Sequence, residues 1–152
     1  MARLEYRVRP LEETDLPEWY RLRKVLWDAT LENEHKAEML DIMEHSDTQL
    51  VLVAELKDGG LAGFLEASIP PFAEDCHSDH VGYLEGWLVE PKFRRQGIGR
   101  ALVSAAERWA ISKNCVEMAS DAEVGNDASI AAHSKLGYEE TSRLVHLRKD
   151  LE

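Results

Sequence analysis

The chain has 152 residues, 44% hydrophobic and 31% charged, which fits one domain with a real core and is short for two ordinary ones. Its formal net charge of −11 excludes nucleic-acid binding by phosphate neutralisation. That acidity suits a cationic partner, or serves solubility alone.

Met1 to Pro10 lacks the continuous apolar core of a signal peptide, so a cytoplasmic protein is expected. Glu5 to Leu11 alternates Tyr6, Val8 and Pro10 with charged residues and predicts a first strand. Asp15, with Glu18 three residues on and Pro17 in the first turn, reads as a helix-capping pair. Leu16, Trp19, Leu22, Val25 and Leu26 then recur at helical spacing and predict a helix to about Trp27. A charged second helix is predicted over Glu34 to His45, with Ala37, Met39, Leu40 and Met43 as its apolar side.

Gln49 to Leu56 and Leu61 to Ile69 predict two strands joined by Lys57-Asp58-Gly59-Gly60, whose glycines supply the positive backbone angles of a tight hairpin. The apolar run Leu50 to Ala54 is too short to cross a bilayer, and no membrane association is expected. Pro70-Pro71 ends the second of these strands, and a polar loop follows to His80. Asp75-Cys76-His77-Ser78-Asp79-His80 carries zinc-ligand residue types, but without a second ligand pair elsewhere the loop reads as polar and no metal is expected. Cys76 and Cys115 lack CxxC spacing and read as two unrelated reduced thiols.

Val81 to Val89 predicts the next strand, and after Glu90-Pro91 the segment Phe93 to Leu102, FRRQGIGRAL, opens a helix to about Lys113. Val116 to Asp121 predicts a fifth strand, and Asp127 to Leu136 a last helix capped by Gly137. Arg143 to Arg148 alternates again and predicts a strand that ends the sheet. With hairpins first and helical crossovers later, the fold class is α/β or α+β with a mixed sheet, in a single domain over 1–152.

The chemistry concentrates in FRRQGIGRAL. Gly97 and Gly99 let backbone amides converge on one point, and the following helix adds its positive dipole end, which suits a phosphate or pyrophosphate. Arg94, Arg95 and Arg100 are candidates to close over such an anion. The spacing matches neither the nucleotide-hydrolysing loop nor the dinucleotide fingerprint. Two glycines alone would equally serve close packing of helix on strand.

The full string Val89 to Gly99 resembles the acetyl-coenzyme A signature of the GNAT N-acetyltransferases, with Arg94, Gly97 and Gly99 at the core Arg/Gln-x-x-Gly-x-Gly/Ala positions. Asn126 and Leu136-Gly137-Tyr138 are similar to that family's second cofactor segment. Blocks at Leu22–Trp27, Leu65–Ile69, Tyr83–Gly86, Glu117–Asp121 and Leu136–Thr141 extend the resemblance to the aminoglycoside 6'-N-acetyltransferases of the superfamily.

This resemblance implies a central, mostly antiparallel sheet flanked by helices, with splayed fourth and fifth strands. It implies transfer of acetyl from acetyl-CoA to the 6'-amino group of an aminoglycoside by direct amine attack, conferring resistance. Backbone groups of Trp87, Leu88 and Val89 would hold the pantetheine arm and polarise the thioester. Amides of Arg95, Gln96, Gly97, Ile98, Gly99 and Arg100 would cradle the pyrophosphate, with Asn126 reaching the cofactor from the other side. Asp121 and Glu85 would bind the polycation, Asp121 orienting the amine and standing as the candidate to take its proton. A lone carboxylate in an apolar strand is costly without a task or partner, which favours a function for Glu85. Trp27 and Phe72 would line the sugar site.

Two positions depart from the family pattern. His133 stands where many GNAT enzymes carry a tyrosine acid, and it is assigned no catalytic role; Ser142 stands where some relatives carry a drug-gripping acid. The resemblance also implies a homodimer with the C-terminal strand region as a contact. Two other readings share the cofactor signature: acetylation of another amine, such as a polyamine or a protein amino terminus, and a non-catalytic acyl-CoA-binding module.

Overall fold

The computed structural model describes residues 3–152; Met1 and Ala2, part of the expected single domain, lie outside the described residues. Two compact units are distinguished, one reaching to Ser120 and the other spanning Asp121–Glu152.

The first unit is built on a sheet in the order β1 (Tyr6–Pro10), β2 (Gln49–Leu56), β3 (Leu61–Ser68), β4 (Val81–Val89) and β5 (Glu117–Ser120). Neighbours from β1 to β4 are antiparallel, and β4 and β5 are parallel. That parallel pair requires a crossover, supplied by α3 (Ile98–Ser112). Gly59 and Gly60 turn β2 into β3 with φ of 97° and 78°, the left-handed geometry expected of this hairpin.

β3 is buried along its whole length because helices cover both faces of the sheet. α1 (Leu16–Leu26) and α2 (Glu32–Glu44) lie on one face and α3 on the other. Val53, Phe64 and Leu88 form one row across the ladder and pack with Trp19, Leu22 and Met39. Leu22 and Phe64 are fully buried, each worth roughly 1.5–3 kcal/mol. The next row, Leu52, Leu65 and Trp87, points the other way by strand alternation. There α3 buries Ile98, Leu102, Val103, Ala106 and Ala110, one helical face.

Of the first-unit helices, α1 and α2 depart from the sequence expectation in detail. Asp15 makes no side-chain cap to α1. Its carboxylate is taken instead by Arg9, at 2.7 and 2.9 Å, and by the Glu12 amide at 2.8 Å. Charge-assisted bidentate pairing outcompetes a single capping bond. On α2 the inward side is His35, Met39 and Ile42, while Leu40 and Met43 are 58% and 43% exposed. The period is helical as expected, but the phase is set by a buried histidine that a hydrophobicity count treats as polar.

In the second unit the one helix, α4 (Asp127–Lys135), begins at Asn126, whose side-chain oxygen accepts from the Ser129 amide at 3.2 Å. Gly137, at φ 93°, stops it. The strand expected over Arg143–Arg148 is not formed: residues 139–152 adopt neither helix nor strand. A strand needs another backbone to satisfy its N–H and C=O groups, and this unit contains no sheet to extend. Among the described residues no helix is long and apolar enough to cross a membrane.

Candidate active site

β4 leaves the sheet into a 3-10 turn at Pro91–Phe93, and Arg94 then folds back so that its Nε donates to the Val89 carbonyl at 2.8 Å. Through Nε the Arg94 guanidinium ties the turn to the strand it leaves. Arg95 has φ 65°, a left-handed backbone rarely adopted by a side-chain-bearing residue, and Gly97 has φ 81°. Left-handed residues alternating with ordinary ones turn successive amides toward one side, the concave arrangement that binds anions. α3 starts directly after Gly97, so the Ile98 and Gly99 amides in its first turn have no acceptor inside the helix. Ile98 is 1% exposed and anchors this end in the core.

The packing explanation for the two glycines does not hold. A Cβ built on Gly99 would lie 3.5 Å from Trp87 Nε1 and 3.8 Å from Val89 Cγ2, ordinary contact distances, and one on Gly97 would come no closer than 3.9 Å to the Tyr6 hydroxyl. Gly97 is required by its backbone angle; Gly99 has room for alanine.

Trp87 and Val89, beside Gly99, belong to the part of β4 that lies beyond the β5 ladder. That ladder ends at Leu84↔Ser120, whereas pairing with β3 continues to Gly63↔Val89. β4 and β5 thus part after Leu84, leaving Trp87, Leu88 and Val89 beyond the β5 ladder next to the amide-rich turn. Gly63 makes the β3 side of this segment possible, since a Cβ there would fall 2.3 Å from the Leu88 carbonyl oxygen.

One extra residue marks the parting. Glu66 pairs with Gly86 and Ala67 with Leu84, so Glu85 is a β-bulge. Two consecutive side-chain positions consequently face α1. Glu85, exposed, accepts from the Ser68 hydroxyl at 2.6 Å. Gly86 lies under the indole of Trp27, where an added Cβ would come within 2.6 Å of Cζ2. Trp27, the residue just past α1, also stacks edge-on with Phe64 at 6.0 Å. The structure thereby brings Trp27 and the Glu85 segment together on one face.

Phe72 stands 69% exposed in the loop after β3. The far end of that loop is latched to β5: Glu117 accepts from the His77 amide at 2.9 Å and the Ser78 hydroxyl at 2.7 Å. These bonds hold the Glu117 carboxyl below its ordinary range. Cys76 in the same loop is a free cysteine with its thiol pushed up by burial and nearby carboxylates. Among the described residues no three His, Cys, Asp or Glu side chains gather as metal ligands do.

In the second unit, Asp121 is exposed and Asn126 is the α4 cap already described. His133 donates its Nδ1–H to the Ser129 carbonyl at 2.7 Å and meets Tyr138 edge-on at 5.9 Å. A turn that gathers amides, opening beside a splayed strand edge, is what a long diphosphate-bearing thioester needs.

Comparison with known proteins agrees. The acetyltransferase (GNAT) family model matches residues 16–138. The chain belongs to the GNAT acetyltransferase family. This acetyltransferase is 43% identical over 146 residues to the aminoglycoside N(6')-acetyltransferase type 1 of Klebsiella aerogenes, covering 95% of this chain and 96% of the relative. Among solved structures it superposes on AAC(6')-Iy in complex with a bisubstrate analogue, CoA-S-monomethyl-acetylneamine, at TM-score 0.89 and 36% identity, covering 97% and 99% of the two chains. AAC(6')-Ih from Acinetobacter baumannii gives TM-score 0.90 at 35% identity, covering 97% of this chain and all 100% of the other.

Several residues around the acetyltransferase site were missed by sequence reasoning. The cost of a lone carboxylate in an apolar strand applies not to Glu85, which the bulge exposes, but to Glu66, which is 4% exposed. Its partners are Arg23 and Trp19, at 2.7 and 2.9 Å. A charged residue one step from Leu22 on the inward face of α1 was the available signal. Ser68 and Gly86 carried none, because their importance depends on the bulge.

Proposed function

We propose that this acetyltransferase transfers the acetyl group of acetyl-CoA to the 6'-amino group of an aminoglycoside. The single observation that carries the reading is the junction at β4: one strand runs past the end of the β5 ladder beside the amide-rich turn and carries a bulged carboxylate beside an indole. The likeness to aminoglycoside acetyltransferases over nearly the whole chain supports the acceptor class.

In this reading the amides from Arg95 through Gln96, Gly97, Ile98 and Gly99 to Arg100 bind the pyrophosphate, and Asn126 adds a contact through its side chain. Backbone groups at Trp87, Leu88 and Val89 hold the pantetheine and donate to the thioester carbonyl oxygen, stabilising the charge that develops there. The amine nitrogen forms a bond to the carbonyl carbon, the carbon–sulfur bond breaks, and coenzyme A leaves as a thiolate that is then protonated. The attacking amine must first be neutral, so its proton passes to Asp121 directly or through water. Glu85, oriented by Ser68, attracts the ammonium groups, and Trp27, with Phe72 from the loop, covers the sugar. The two units function together as one GNAT domain.

A homodimer is part of the same proposal. Leu144, Val145, Leu147 and Leu151 are 57–90% exposed in the C-terminal segment, and this exposed apolar set, with Val145 and Leu147 on either side of His146, suits a segment that finds its partner in a second copy. The acetyl donor and the free cysteines Cys76 and Cys115 suit action in the cytoplasm, where drug acetylation would confer resistance.

The test is a substrate panel scored by thiol release, with mass spectrometry locating the acetyl group. Kanamycin and tobramycin are expected to be acetylated at the 6'-amine; turnover of spermidine with none of either drug would overturn the assignment. Glu85→Gln and Asp121→Asn are each expected to lower drug kcat/KM by at least about tenfold. Unchanged drug acetylation in both would remove these residues from the acceptor site.

A further inference from the structure

Between α1, α2 and β3 lies a charged cluster that the chemistry above does not use. Arg23 is 3% exposed, Glu66 4% and His35 0%. Burying such groups is costly unless each is fully paired, and the pairing here is complete. The guanidinium has five N–H donors. Nε and Nη2 donate to Glu66 at 2.7 and 3.2 Å, Nη1 and Nη2 to Glu38 at 3.0 and 2.9 Å, and Nη1 to His35 Nδ1 at 2.9 Å.

This arrangement decides the histidine's tautomer. A guanidinium only donates, so Nδ1 of His35 accepts and Nε2 carries the proton. Nε2 lies 3.1 Å from the carbonyl oxygen of Trp27 and donates to it. The chain at Trp27 has left the helix, with φ −119° and ψ 70°, so no α1 ladder bond fixes that carbonyl, which also accepts from the neighbouring Thr30 amide at 3.2 Å. At the other end of the same residue, the Arg23 guanidinium lies 4.8 Å from the indole centroid. One buried relay, Glu66–Arg23–His35, thus grips Trp27 by backbone and by ring.

We propose that His35 is a positioning residue for acceptor binding: through its bridge from Arg23 to the Trp27 carbonyl it sets the indole over Gly86, beside Glu85. The proposal rests on Trp27 lining the sugar site. It explains why α2 buries a histidine where an apolar residue would be simpler, and why the relay ends at the first residue beyond α1.

The experiment uses the full-length enzyme with His35→Asn, whose side chain is too short to span both partners, and His35→Gln, which keeps an acceptor and a donor at the right reach. Each is made alone and in a Trp27→Phe background, and KM is measured separately for kanamycin and acetyl-CoA. His35→Asn is expected to raise the kanamycin KM about tenfold with the acetyl-CoA KM within about twofold, and His35→Gln to restore it. In the Trp27→Phe background the effect of His35→Asn should fall to less than about twofold, the non-additivity expected of coupled residues.

Trp27→Phe raising the kanamycin KM while His35→Asn does not would overturn the positioning role alone. A His35→Asn effect undiminished in the Trp27→Phe background would overturn it too. No effect from any of the variants would overturn both this proposal and the sugar-site role of Trp27. Should His35→Asn fail to fold, His35→Gln still decides: a tenfold rise in kanamycin KM with native circular dichroism would overturn the bridge, and a KM within twofold supports it.

Discussion

Replacing Gly86 by alanine tests the acceptor face of β4 with one methyl group. The new Cβ would stand 2.6 Å from Trp27 Cζ2, 3.1 Å from Cη2 and 3.1 Å from Leu26 Cδ2. Carbon atoms rest at about 3.5–4.0 Å, so the indole has to retreat by roughly 1 Å. It cannot do so freely, with Phe64 edge-on at 6.0 Å and Arg23 at 4.8 Å. Overpacking of this kind costs about 1–3 kcal/mol. For a domain of this size each kcal/mol lowers Tm by roughly 2–4 °C, giving an expected drop of about 2–12 °C in a thermal melt. A shift of about 1 Å in a substrate-positioning group can cost up to about a hundredfold, so aminoglycoside kcat/KM is expected to fall about 10- to 100-fold. The acetyl-CoA KM should stay within about twofold, because the new methyl meets Trp27 and Leu26 rather than the turn or residues 87–89. Native stability and native drug kinetics in Gly86→Ala would refute the contact, and an equal rise in both KM values would refute the separation of faces.

Gly97→Ala and Gly99→Ala should differ although they are two residues apart. At Gly97 the φ of 81° imposes about 1–2 kcal/mol of strain on alanine and should raise the acetyl-CoA KM severalfold, whereas Gly99→Ala should leave that KM within about twofold. Glu66→Gln, by leaving Arg23 buried beside a neutral partner, should cost about 3–5 kcal/mol in denaturant unfolding, and the double change Arg23→Met, Glu66→Leu should cost less than the sum of its parts. Asp15 is held below its ordinary value of 3.8 by Arg9. Its stabilisation is therefore full above the unfolded value and lost as pH falls through the lower folded value. Melts taken from about pH 5 downward, past the ordinary value of 3.8, should show a smaller acid-induced loss of Tm in Asp15→Asn than in the parent.

Much of the fold was legible because its signals are local. The Asp58-Gly59-Gly60 hairpin, α3 with its inward face, and Gly137 as the end of α4 all follow from backbone preference or periodicity within a few residues. The amide-rich turn was legible for the same reason: Gly97 and its place between strand and helix are sequence neighbours. What escaped depended on partners far along the chain. Asp15 looked like a cap until Arg9 and the Glu12 amide took its carboxylate, and α2 was read out of phase because His35 is buried by Arg23 and Trp27 rather than by its own polarity. Glu85 was selected for a sound reason that belongs to Glu66, since only the bulge decides which of the two is exposed. The Arg143–Arg148 strand had the right alternation but no sheet within its own unit to join.

The bulge at Glu85 also has a consequence for how this enzyme can change. One inserted residue puts Glu85 and Gly86 on the α1 face while Trp87 and Val89 point toward α3, so the proposed acceptor contacts are side chains of one face whereas the proposed donor contacts are backbone groups, within five consecutive residues. On that proposal, side-chain substitutions on the α1 face would change which amines are accepted while the backbone that meets acetyl-CoA stays the same, so acceptor range could drift in single steps without loss of the donor site.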